Sequence, residues 1–161
     1  MELNTLALAR ALHVIGVVLW IGGVAMVTTV LLPATRKLKS AEEQVAFFAK
    51  IEHGFAWQAR FTTLLTGLTG FHMLAAMHAW ERYGMAQHWW LHAMTAIWVI
   101  FTVMLFVLEP LVLHKWFKQK AMQSPEKTFR VIQRMHWVLL TLSLLAVFGA
   151  VAGSHGQLFF Q

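Results

Sequence analysis

Four stretches of this chain carry no Asp, Glu, Lys or Arg: Ala11–Thr35, Phe61–Trp80, Tyr83–Leu108 and Met135–Gln161, of 25, 20, 26 and 27 residues. A helix needs about 20 apolar residues to cross a hydrocarbon core about 30 Å thick. Inside a bilayer the backbone must satisfy its own hydrogen bonds, and for single apolar runs the helix does that. The expectation is an all-α integral membrane four-helix bundle with short loops. It forms one transmembrane domain over residues 1–161, with helices at about 4–32, 57–80, 88–114 and 131–153. Composition agrees: the chain is 58% hydrophobic and 12% charged, with a mean hydropathy of +0.60, outside the range of ordinary soluble domains.

Absences narrow the chemistry. Without Cys there is no disulfide, thiolate nucleophile, Fe–S ligand or Cys-bound metal. Without Asp, and with Glu only at positions 2, 42, 43, 52, 81, 109 and 126, paired-carboxylate hydrolysis inside the membrane has no raw material. His and Met, nine copies each, and eight Trp are in excess.

The net charge of +6 does not point to nucleic acid, because eleven of the thirteen Lys and Arg fall in two connecting segments. These are Arg36, Lys37, Lys39, Lys50 and Arg60, then Lys115, Lys118, Lys120, Lys127, Arg130 and Arg134. Such clustering follows the positive-inside rule and predicts cytoplasmic first and third connections, with both termini outside. The first helix reads as retained, since Met1–Ala9 has no basic n-region. The basic loops would also suit anionic lipid.

Pro33 predicts the end of the first helix, and Val45, Phe48, Ile51 and Phe55 predict an amphipathic inner-surface helix within residues 34–58. Trp80, Tyr83, Trp89 and Trp90 suit an outer aromatic belt, and Glu109-Pro110 a kink or stop. Gly16, Gly22, Gly23, Gly67 and Gly70 permit close helix approach or make room for a planar cofactor. Gly149 and Gly153 form a GxxxG through which a homo-oligomer or larger membrane complex would assemble.

A His in hydrocarbon needs a partner or a function. At 1.5 Å rise per residue, His13 and His72 both lie roughly 10–12 Å below the outer surface on neighbouring helices. His92 is about a turn into the third helix, while His78, His88 and His155 fall at the outer boundary. Two imidazoles at one depth suit the axial ligation of a b-type haem, with Trp20, Phe71, Trp98 and Phe148 as apolar walls. Arg10, a turn above His13, would neutralise a propionate, and Arg60 would hold an anionic group or pair with Glu109. A second, inner haem would need His136 with His53 or His114. Copper competes for the same region, because Met73 and Met77, beside His72 and His78, with Met85 and His88, offer soft donors.

Leu12-His13 through Trp20-Ile21-Gly22-Gly23 to Leu32-Pro33-Ala34 resembles the first helix of the CopD family of membrane proteins, named for copper resistance. His13–Gly22, Arg60-Phe61-Thr62-Thr63 with Gly67, and Trp90-Leu91-His92 are similar to stretches of the HemJ-type protoporphyrinogen oxidases, four-helix membrane proteins thought to bind haem b. The resemblance implies His13 as an axial ligand and His92 as a functional partner. It departs at Met94, where the HemJ-type proteins carry Lys.

The functional expectation is a haem b protein of a bacterial inner membrane, taking part in electron transfer or oxidation in the outer half with a quinol or redox protein as partner. Its candidate ligands are His13, His72 and His92, with Arg10, Trp20 and Arg60 around the cofactor. The alternatives are a copper-handling permease, a protoporphyrinogen oxidase, or an accessory subunit whose histidines merely pack.

Overall fold

A computed structural model of the chain describes residues 4–157, except for the side chains at 112–116 and 118. His114 and its place in an inner haem site thus lie outside the described residues. The fold is all-helical, with no strand among the described residues. Helix α1 (Thr5–Met26) runs through a π-helical segment, Val27–Leu31, into α2 (Leu32–Thr35). Then come α3 (Ala41–Ala76), the 3-10 turns Trp80–Gly84 and Ala86–His88, and α4 (Trp89–Val103). A second π segment, Met104–Leu113, leads to α5 (His114–Gln123) and α6 (Pro125–Ser154). Three runs are long and apolar enough to cross a membrane: Thr5–Thr35, Ala86–Leu111 and Pro125–Ser154.

The expected inner-surface helix and second spanning helix are one element. α3 has 36 residues and is about 54 Å long at 1.5 Å per residue. It starts where Ser40 Oγ accepts from Glu43 N–H (3.1 Å) and Glu43 Oε2 accepts from Lys39 N–H (3.2 Å). From there to Met77 no proline interrupts it, so nothing in the sequence supplies a stop at residue 57. It ends earlier than expected, with His78 in the left-handed region (φ 50°) and Ala79 N–H donating to Leu74 O at 2.9 Å, a Schellman-type termination. The uncharged part of α3 is thus shortened to residues 61–76 and includes Thr62, Thr63, Thr66 and Thr69, which explains its absence from the three spanning candidates. Thr62 and Thr69 reduce the cost of their hydroxyls by donating back to Gln58 O (2.9 Å) and Leu65 O (2.6 Å).

α1 lies along α3 and α4 along α6, with α3–α4 and α1–α6 contacts completing the arrangement. The core joins Trp20, Ile21, Val24, Ile97, Phe101 and Leu139. A second cluster at the basic end stacks Phe48, Phe117 and Phe129 with centroids 5.2–5.6 Å apart and ties α5 to α3 and α6. Apolar side chains also cover the outside, with Val18, Leu68 and Phe148 each more than 60% exposed.

Both π segments hold a carbonyl that a proline leaves without a donor. In the i→i+5 pattern the donors to the carbonyls of Thr28 and Leu105 would be residues 33 and 110, and both are proline. Each orphaned carbonyl is met by a side chain from another helix. Gln133 Nε2 donates to Thr28 O at 3.5 Å, and Arg60 Nε to Leu105 O at 3.1 Å. Pro33 therefore does not end the first helix but changes its pitch.

Several glycines are filled from within the chain. Gly149 and Gly153 receive the indoles of Trp89 and Trp90, so a Cβ at either would collide with them. The GxxxG face expected for oligomerisation is thus used by α4 packing on α6. On the other side, the ring of Phe55 occupies Gly23 and the Trp98 indole lies on Gly67 while its Nε1–H donates to Thr63 O (2.9 Å).

Candidate functional site

Toward the hairpin end, a cavity of about 170 Å³ opens between α1, α3, α4 and α6. His13 projects into it from α1. A carbonyl only accepts, so the 2.9 Å contact to Thr66 O makes Nδ1 the protonated nitrogen, with Thr69 Oγ1 at 3.2 Å alongside. In the neutral ring, Nε2 then carries the lone pair, and it has no hydrogen-bond partner among the described residues. Gly70 makes this placement possible: a Cβ there would sit 3.1 Å from the His13 ring. An imidazole with one nitrogen anchored to a carbonyl and the other presented to a cavity is the arrangement seen in metal-binding histidines.

Met73, Met77 and Met94 line the same cavity, bringing three thioethers from α3 and α4 to the imidazole's cavity. Trp20, Phe71 and Trp98 supply aromatic walls, and Arg82 and Tyr83 stand at the hairpin end. Tyr83 Oη is fixed by Thr95 Oγ1 at 2.7 Å.

The other expected ligands do not join His13. His72 is two residues beyond Gly70, about 200° round a helix of 3.6 residues per turn, and is exposed outside the cavity. Equal depth did not mean a shared face. His92 is exposed, and its Nε2–H donates to Tyr83 O at 2.8 Å, which pins the hairpin onto α4. Arg10 is exposed and does not line this cavity. Arg60 has Glu109 as its anion, with Nη2 donating to Oε2 at 2.6 Å, at the far end of the molecule. His53, His78 and His155 are exposed. Among the described residues no three His, Asp or Glu side chains gather into a metal-binding group.

Nearer the basic end, a second cavity of about 300 Å³ is lined by residues of all the long helices. Its polar lining comes from Glu52, Glu109 and His136, and Trp20 lines both cavities, so its indole stands between them. Trp20 is 4% exposed, stacks edge-on to Phe101 (5.0 Å, 89°), and its Nε1–H has no partner among the described residues. His136 repeats the geometry of His13, with Nδ1–H donating to Ile132 O at 2.9 Å.

Sequence reasoning missed Arg82, Tyr83 and Met94 as cavity residues, and it marked His136 for an inner site without the cavity around it. The i−4 carbonyl available to His136 and the two prolines were the signals present for the second region. Comparison of the chain with family models, curated proteins and solved structures finds no match.

Proposed function

We propose that this chain is a four-helix integral membrane protein that binds one haem b in the His13 cavity and takes part in electron transfer. The observation that carries this reading is His13 itself, half-buried, with Nδ1–H held by Thr66 O and Nε2 open to an aromatic-walled cavity. Haem b, when bound, supplies one-electron redox chemistry at a potential set by axial ligands and burial. His13 Nε2 is the nitrogen donor. Met73, Met77 and Met94 provide thioether donors where a second imidazole was expected, a His–Met pairing that raises the potential. Arg82 offers a guanidinium for a carboxylate at the hairpin end. At about 170 Å³ the cavity is smaller than the ~300 Å³ of small-molecule sites, so admitting a whole macrocycle requires its partly exposed lining residues, Phe71 and Met77 (36% each), to swing outward.

The likeness of His13–Gly23 to the CopD and HemJ-type families supports the same residue as ligand. The fourth crossing is the Arg60–Ala76 part of α3, whose threonines face neighbours rather than lipid. By the positive-inside rule the basic end is cytoplasmic and both termini are outside; the membrane in this reading is of the bacterial inner type.

A second reading is copper(I) binding without haem. It is favoured by one observation, that an imidazole and three thioethers line the same cavity.

The deciding experiment is an optical spectrum of protein purified from haem-replete cells, before and after dithionite. The haem reading expects a Soret band with sharp α and β bands on reduction, lost in His13→Ala and kept in His72→Ala. A colourless wild-type protein overturns it. Stoichiometric, His13-dependent Cu(I) uptake against a competing chelator then establishes the second reading.

A further inference from the structure

We infer that the second cavity binds a membrane-soluble hydroquinone, an aromatic ring carrying hydroxyl groups. Its volume of about 300 Å³ reaches the lower end of small-molecule sites, and its walls are mainly apolar, with Phe48, Phe55, Phe101 and Phe117 among them. The polar groups define what the ring must carry. His136 has Nδ1 committed to Ile132 O, so its Nε2 accepts. A phenolic hydroxyl donates to that lone pair.

Other ligand classes fit less well. A fatty acid or phosphate head group finds no Lys or Arg among the residues lining the cavity. A metal cation finds no cluster of three His, Asp or Glu among the described residues, and Glu109 is already paired with Arg60 at 2.6 Å. A purely apolar lipid tail leaves the His136 lone pair unsatisfied.

The site is separate from the His13 cavity and does not require haem. Where the haem reading also holds, this cavity is where a two-electron donor would sit, across Trp20 from the cofactor.

The test is equilibrium binding of decylubiquinol to the full chain in nanodiscs, with empty nanodiscs subtracted, beside the same compound methylated on both hydroxyls. The expected result is saturable binding of the hydroquinone, weakened roughly tenfold by methylation, since one hydrogen bond of ordinary strength is about a tenfold change. His136→Phe should weaken the hydroquinone by a similar factor and leave the ether nearly unchanged. No saturable binding overturns the inference. Equal binding of hydroquinone and ether also overturns it, because the cavity then accepts any lipid. The ether comparison uses the wild-type chain, so a variant that fails to fold does not remove the test. The optical spectrum is independent of this binding, so the two ideas fail separately.

Discussion

Replacing Arg60 with Met tests how the kinked run through Met104–Leu113 is held. The guanidinium serves two acceptors: Leu105 O, orphaned by Pro110, and the Glu109 carboxylate. Losing the carbonyl hydrogen bond costs about 1 kcal/mol. Leaving the carboxylate without its cation adds about 1–2 kcal/mol, less than the 3–5 kcal/mol of a fully buried pair. The discount applies because the side chains of Arg60 and Glu109 keep 31% and 20% of their exposure. The expected loss is about 2–3 kcal/mol, read as a shift in SDS unfolding of the detergent-solubilised protein by far-UV circular dichroism. Pro110→Ala restores the missing N–H and gives Leu105 O an in-helix donor. In that background Arg60→Met should cost about 1 kcal/mol less, and this coupling isolates the carbonyl's share. Additivity of the two substitutions within about 0.3 kcal/mol would refute the claim that Arg60 compensates the proline.

Adjacent glycines should respond with opposite signs. Gly22 has open space where a Cβ would stand, so Gly22→Ala should stabilise α1 by up to about 1 kcal/mol, whereas Gly23→Ala drives a methyl into the Phe55 ring and should cost about 1–3 kcal/mol. Equal shifts of the unfolding midpoint would contradict the α1–α3 packing described above. Gly153→Leu displaces the Trp90 indole and should lower stability by about 3 kcal/mol without changing the mass measured by light scattering. A dissociated oligomer with unaltered helix stability would show instead that this face serves a partner. His78→Gly relieves the left-handed residue at the end of α3 and should be neutral or stabilising by up to about 1 kcal/mol, with any bound chromophore retained. Loss of colour would make His78 a ligand.

Chain-local features were legible in advance. Long uncharged runs require helices because a helix closes its backbone hydrogen bonds within the segment, and three such runs stand in the fold as expected. His13 was singled out because a His at that depth needs a partner or a function, and in the fold its Nδ1–H has a partner in Thr66 O. The Arg60–Glu109 pairing was open to sequence reasoning because both residues belong at the same end of their helices. The break at residue 57 was a misreading of polarity as a boundary: charge declines there, but neither proline nor cap stops α3.

Azimuth was decided only by tertiary structure. A residue's depth follows from counting along the helix at 1.5 Å per residue, but the face it lies on depends on which side packs. In a water-soluble helix, alternating polarity records that side; in these helices apolar residues cover the outside as well as the core, and the record is erased. So the sequence could set His13 and His72 level with each other but could not tell that only His13 turns inward, with Met73, Met77 and Met94 as its company. For the same reason it could not assign the glycines. Gly23, Gly67 and Gly153 are merely small until a ring from another helix, Phe55, Trp98 or Trp90, arrives to occupy the space.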